Sequence, residues 1–390
     1  MKYSPTRILG ALRRRQLDWF RSVIYFFFRF GAIRNQFLFE SFQGKVIGDS
    51  PLALLKEVKK RFPRSNCYFT ISSSTSSPDG AIGVRHGSLG WLRALATSKV
   101  LVNNTNFPPY FRKRSDQLYI QTWHGTPLKR LGRDIVDVVP SDSYLKMMDR
   151  EAKSWDYLIS PSPYCTNLFP KAFNFSGKIL ETGYPRNDLL INAVADRGRI
   201  RSSLGIKDEN QLVVLYAPTW RDTERTATGN WKPVNFLGHG HLDAVVLFRG
   251  HTNTHAAHRS EQIGSAIDVT NYPNVAELYL AADVLITDYS SSMFDFTVTG
   301  KPIIFLAPDI DKYAAKRGFY FDFEAEAPGP ILRDAGLLKE TLEKLDSWRE
   351  SYAARYVNWQ AKFNSLEDGG AAARVIDQSL PAFHSLFSEH

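Results

Sequence analysis

Apolar and polar positions along this chain alternate in blocks rather than residue by residue. The apolar runs NQFLFESF (35–42), NCYFTIS (66–72), SKVLVNN (98–104), QLYIQTW (117–123), WDYLISPS (155–162) and GKILETGYPRND (177–188) read as strands. PLALLKEVKKRF (51–62) reads as a helix between the first two. A second series follows: NQLVVLYAPTW (210–220), DAVVLFRGH (243–251), AIDVTN (266–271), DVLITDYSS (283–291) and KPIIFLAP (301–308). Strand–helix alternation of this kind implies parallel sheets covered by helices. The polar, helix-like stretch 191–210 separates the two series, and the tail from about Leu337 reads as helices. The pattern therefore predicts an arm (1–34), a first α/β domain (35–200) and a second α/β domain (201–390). The last helices, AAARVIDQSL (371–380) among them, are expected to pack back on the first domain. Two doubly wound sheets facing a cleft would hold ligands at the carboxyl ends of their strands.

The arm has a pattern of its own. At about 100° per residue, Ile8, Leu12, Trp19, Val23, Phe26 and Phe30 share an arc of roughly 60°, with Arg7, Arg14, Arg21 and Arg29 opposite. A basic helix with an aromatic face suits an anionic membrane surface. The alternative is a helix packed on the protein's own core with solvated arginines. The run Val23–Phe28 is too short to span a bilayer, Arg29 interrupts it, and no small-residue cleavage site follows.

Charge sharpens this picture. Residues 1–39 hold eight basic side chains against Asp18 alone, so +7 of the net +9 lies there and the other 351 residues carry +2. A nucleic-acid groove in the body of the fold is disfavoured by that distribution, and no nucleic-acid partner is expected. At 390 residues and 43% hydrophobic, the chain can bury two cores. Cys67 and Cys165 are too few and too far apart for a disulfide framework or a zinc pattern, which fits a reducing compartment.

Six polar clusters follow six of the apolar runs: HGT, SPSPY, GYPRND, APTWRD, RGH and TDYSSS. That coincidence marks a cleft. In TDYSSSMFDF (287–296), Asp288 and Ser290, Ser291 and Ser292 precede an apolar helical pattern, so the serines either cap the helix or help bind an anion at its positive end. No Walker-A or GxGxxG sequence supplies a glycine-rich cradle. In FRGHTNTHAAH (248–258), the spacing of His251, His255 and His258 lacks the glutamate of a zinc helix, and Arg249 would repel a cation; Arg249 with His251 suits an oxyanion. The Asp309/Asp311 pair is a weak metal signal, and no cofactor is assigned, with magnesium left open. In QTWHGTPLKRLGRD (121–134), His124 can accept a proton near neutral pH, Gly125 lets substrate approach the backbone, and Lys129 and Arg130 can hold a phosphate.

Taken together, QTWHGTPLKRLGRD, SPSPY, ETGYPRND, YAPTWRD, FRGH and LITDYSSSMFDF resemble the CDP-glycerol glycerophosphotransferase family of teichoic-acid primases and polymerases. GKPIIF and YAAKRGFYFDFE extend the match, in order, from about residue 35 to about 330. The resemblance implies two Rossmann-like domains in the B-type glycosyltransferase arrangement, peripheral on the cytoplasmic face of the cell membrane. It implies transfer of glycerol phosphate from CDP-glycerol to a hydroxyl of a lipid-linked saccharide or polyol-phosphate acceptor, releasing CMP. It makes His124 the general base and places His251 and Arg249 at the pyrophosphate. Gly125, Thr126, Lys129, Arg130, Pro218, Thr219, Asp288, Ser290, Ser291, Ser292 and Arg317 become substrate-binding positions. The length is closer to that of primases, with no long domain ahead of the alternating region. A ribitol-phosphate transferase using CDP-ribitol and a nucleotide-sugar glycosyltransferase of the same fold are the alternatives. The later motif region has no E-x7-E pair to favour the second.

Overall fold

The computed structural model describes residues 5–136, 141–219, 242–250 and 266–380, with side chains from residue 15 onward. Seven strands form the first sheet: β1 (Arg34–Glu40), β2 (Asn66–Ile71), β3 (Ile82–Arg85), β4 (Ser98–Asn103), β5 (Leu118–Gln121), β6 (Tyr157–Ser160) and β7 (Lys178–Glu181). Their order is β3-β2-β1-β4-β5-β6-β7, and every pairing is parallel. The second sheet holds β8 (Val213–Ala217), β9 (Val245–Phe248), β10 (Ile267–Asp268), β11 (Val284–Thr287), β12 (Ile303–Leu306) and β13 (Ile331–Leu332). Its order is β10-β9-β8-β11-β12-β13, again all parallel.

The blocks of apolar residues are explained by burial on both sheet faces. Phe37 and Phe39 point to one side, where they stack 5.7 Å apart and meet Phe69, Leu54, Leu55 and Val58. Leu38, between them, points to the other side and joins Leu101, Tyr119, Trp91 and Phe169. The second sheet repeats this arrangement, with Leu215, Leu285 and Phe305 on one face and Tyr216, Ile286 and Ile304 on the other. The edge strands β3 and β13 carry no long apolar run, and the sequence reading passes over both. Of the four residues of β3 only Val84 is buried, so little apolar patterning is required there.

The chain crosses between the sheets twice. After β7 it runs through short helical turns to β8. Later, helix Leu345–Phe363 packs on the second core through Trp359 and Phe363, and helix Ala371–Ser379 returns to the first. Val375 and Ile376 of that last helix are buried beside Phe37 and Leu54. Asp188 accepts from the backbone N–H groups of Ala371 and Ala372, both at 2.8 Å, which satisfies two of the unpaired donors at the helix start.

Helix Pro5–Phe28 lies against the first domain by the side that carries Arg21 and Tyr25. Tyr25 is fully buried, and its hydroxyl donates to the Arg112 carbonyl at 2.9 Å. The arginines are thus not all solvated: Arg21 turns inward, its Nε donating to the Gly87 carbonyl at 3.2 Å. The aromatic face is left outside, with Trp19 62%, Phe27 69% and Phe30 89% exposed. Among the described residues no helix is long and apolar enough to cross a membrane.

Candidate active site

A cleft of about 710 Å³ opens between the carboxyl ends of the two sheets. His124 stands on its first wall, just past β5. Trp123 takes a left-handed backbone (φ 54°), and its indole stacks on the imidazole with centroids 4.2 Å apart. Phe42 supports the ring from another side at 5.7 Å. Nδ1 of His124 lies 2.7 Å from the Asn104 carbonyl. A carbonyl can only accept, so Nδ1 carries the proton and Nε2 keeps its lone pair. Burial lowers the pKa of His124, and Arg186 adds to this against the opposing pull of the Asn104 bond and Asp49. The ring is therefore neutral at pH 7 and able to take a proton.

The second wall is built from Pro218, Thr219, Arg249 and the three serines. The helix that the serines begin, Ser292–Phe296, spans only five residues, and Ser291 makes no side-chain capping bond. Ser290 Oγ instead accepts from the Ser292 N–H at 3.3 Å, and the shielded Ser292 hydroxyl has no hydrogen-bond partner among the described residues. Hydroxyls rather than a long helix dipole are what this turn offers an anion. The walls come together beside the base: a Cβ added to Gly125 would stand 2.9 Å from Ser291 Oγ. The glycine beside the histidine is needed because the opposite wall comes that close.

Of the positions anticipated from sequence, His124, Lys129, Pro218, Thr219, Arg249, Ser290, Ser291 and Ser292 line the cleft together. Gly125 sits at the contact just described. Thr126 is buried, with its side chain bonded to the Cys165 thiol, and does not line the cleft. Asp288 is also buried; its Oδ1 accepts from the Thr219 N–H at 2.8 Å and so fixes the Pro218–Thr219 turn rather than facing the opening. Arg130 lies over the Tyr320 ring at 5.6 Å, and Arg317 is exposed at the end of helix Ile310–Arg317; neither lines the cleft. Arg249 spends part of its guanidinium on the carbonyls of Val269 (3.1 Å) and Tyr272 (2.9 Å), and burial lowers its pKa. Asp309 accepts from the Tyr289 hydroxyl and Asp311 pairs with Arg333, so these two carboxylates are engaged apart. His251, His255 and His258 lie outside the described residues.

The cleft also contains residues that the sequence reading left aside. Phe42, Gln43, Lys45 and Asp49 line it from the loop after β1. Arg186, inside the quoted GYPRND, is buried at the cleft floor and bridges the two domains, 3.4 Å from Asp49 and 3.0 Å from Asp295. Burial alone would lower its pKa, but the two carboxylates outweigh that and raise it. Asn187 donates to Asp295 and to Glu367, both at 3.1 Å. The two crossings of the chain are tied together there.

Among known proteins, the chain is similar to the teichoic acid poly(glycerol phosphate) polymerase of Bacillus subtilis (strain 168), at 35% identity over 383 residues. That match covers 93% of this chain and 51% of the polymerase, so the chain spans about half the length of that relative. It is 38% identical over 365 residues to the teichoic acid glycerol-phosphate transferase of Staphylococcus aureus (strain NCTC 8325 / PS 47), covering 88% of this chain and 92% of the other. The solved structure of the wall teichoic acid polymerase TagF superposes with a TM-score of 0.84 at 33% identity, over all of both chains. Two parallel-sheet domains facing a cleft are the B-type glycosyltransferase arrangement. With the profile of the CDP-glycerol:poly(glycerophosphate) glycerophosphotransferases matching residues 23–379, the chain belongs to that family.

Proposed function

We propose that the protein transfers glycerol phosphate from CDP-glycerol to a hydroxyl of a lipid-linked acceptor, releasing CMP, as a step in building a teichoic-acid-type polymer. One observation carries the reading: His124 is held as the Nδ1–H tautomer, its Nε2 without a hydrogen-bond partner among the described residues, on a wall that touches the serine turn across Gly125. A base and an anion-binding turn at that separation suit attack of an alcohol on a phosphate. The acceptor oxygen forms a bond to the β-phosphorus, the bond from that phosphorus to CMP breaks, and the acceptor proton passes to His124 Nε2. Charge growing on the phosphoryl oxygens and on CMP is met by Ser290, Ser291, Ser292, Lys129 and Arg249, and the role of His251 at the pyrophosphate is carried over from the family resemblance alone. Fixed donors of this kind supply most of the rate, and the base adds about 10²–10⁴-fold.

The exposed Trp19, Phe20, Phe27 and Phe30 support placing the helix Pro5–Phe28 on an anionic membrane surface, which would put the cleft within reach of a lipid-linked acceptor. The cytoplasmic face fits two buried free cysteines. The test is nucleotide release from CDP-glycerol, CDP-ribitol and a sugar nucleotide, each with a lipid-linked acceptor. CMP from CDP-glycerol is expected, reduced about 10²–10⁴-fold by His124→Ala. Because the folded pKa of His124 is below the ordinary 6.5, kcat/KM should hold from pH 8 to 6.5 and fall only below that. Release from the sugar nucleotide alone would overturn the reaction class, and an unchanged rate in the variant would remove His124 as base.

A further inference from the structure

The cations on the first wall are not confined to the cleft. Lys45 is exposed, lines the cleft that holds His124, and has no hydrogen-bonding or ion-pairing side chain among the described residues. It follows a backbone that is unusual for its composition: Phe42 (φ 47°), Gln43 (58°) and Gly44 (78°) are three consecutive left-handed residues, only one of them glycine. Two contacts impose that shape. The Phe42 N–H donates to Asn104 Oδ1 at 2.9 Å, and a Cβ on Gly44 would stand 2.7 Å from the Ile71 backbone. Such strain persists where the surroundings hold it, and it commonly fixes groups that bind something.

Beyond the cleft, burial lowers the pKa of the His86 imidazole, and the charges of Arg21 and then Lys45 lower it further. His86 packs on Trp91 with centroids 4.6 Å apart. Arg21 comes from the helix Pro5–Phe28, and its guanidinium rests over Gly87, where any Cβ would clash at 2.6 Å. The carboxylates nearby are Asp18, 3.7 Å from Arg21, and Glu40, which is fully buried and already accepts from Thr70 and Trp91. The first domain thus carries one cation, Arg21, on the aromatic-faced helix and another, Lys45, in the cleft with the base.

We propose that Lys45, in the cleft with His124, begins a track that binds a phosphodiester of the incoming acceptor and leads it to that base. The inference rests on the transferase reading and adds to it which residues take the acceptor. Lys45 supplies a point charge at the cleft, and Arg21 supplies another on the helix that carries the exposed aromatics. A phosphate on the acceptor can come from a glycerol-phosphate chain or from the linkage to its lipid, and both present the same anionic oxygens.

The test measures binding directly, without turnover. A soluble glycerol-phosphate oligomer and a short-chain lipid pyrophosphate disaccharide are titrated into the full chain and into Lys45→Glu and Lys45→Arg, with CDP-glycerol titrated in parallel. Lys45→Glu should weaken at least one acceptor probe about tenfold or more. The loss should shrink at high salt, affinity should be restored in Lys45→Arg, and the affinity for CDP-glycerol should stay unchanged. Response of the oligomer alone assigns the track to the polymer, and response of the lipid probe alone assigns it to the linkage. Equal binding of both probes by wild type and Lys45→Glu overturns the proposal. Should wild type bind neither CDP-glycerol nor turn it over while the acceptor probes still depend on Lys45, it is the transferase reading that falls.

Discussion

The two walls of the cleft are built by opposite means. Among the described residues, five non-glycine residues have a positive φ, all before residue 175: Phe42, Gln43, Asp49, Trp123 and Asn174. Four of these five frame His124 or line the first wall beside it. The second wall, from Pro218 to Ser292, shows no such residue among those described; its turns are ordinary, and its work falls to hydroxyls and backbone groups. The difference follows from what each wall must hold. A base has to be aimed within a few tenths of an ångström and in one tautomer, which justifies strained backbone and stacked rings. A phosphate accepts hydrogen bonds over a broad range of directions, so a turn rich in serine is enough.

The largest effect on this comparison should come from the group that joins the walls. Arg186→Leu leaves Asp49 and Asp295 buried without their cation, and thermal or denaturant unfolding should show a loss of about 3–5 kcal/mol. A small loss would mean that the walls are held by other contacts, such as the backbone bonds of Arg130 to Gly318 and of Tyr320 to Leu128. Next in size is the contact beside the base. Gly125→Ala forces Ser291 away from the His124 turn, and kcat should fall about 10–100-fold with little change in Tm. Equal kcat in that variant would show that the walls need not touch for chemistry. The smallest expected effect tests the strain itself. Gln43→Gly should stabilise the fold by about 0.5–1 kcal/mol, because glycine adopts φ 58° without steric cost. No gain, or a loss, would mean that the first wall is not strained at that residue.

The sequence displayed the second wall well and the first only in part. Pro218, Thr219, Arg249 and the serines each follow an apolar run directly, so strand ends and polar clusters mark them without any knowledge of the fold. His124 is marked in the same way. The loop after β1, ESFQGKVIGDS, has only Gly44 and Gly48 as turn signals, and nothing in its composition announces Phe42, Gln43, Lys45 or Asp49. Its role depends on contacts with Asn104 and Ile71, which are distant in sequence. Arg186 was in view as part of GYPRND, but its partners lie 137 and 109 residues away, and no local pattern records such a pairing. Asp288 shows the converse: a carboxylate in a conspicuous motif is spent on holding the neighbouring turn. The edge strands β3 and β13 were missed because a short, half-exposed strand needs little apolar patterning to form.

The double crossing of the chain has a mechanical consequence. The connection after β7 and the return into helix Ala371–Ser379 lie side by side, tied by Asn187 to Glu367 and by Asp188 to Ala371 and Ala372. A third connection joins the domains at Lys129 and Phe319, where the Arg130 N–H donates to the Gly318 carbonyl at 3.1 Å and the Tyr320 N–H to the Leu128 carbonyl at 2.9 Å. Two tethers and a backbone clasp together hold Gly125 and Ser291 in one registration, so the aim of the base is built into the frame and not rebuilt by each substrate.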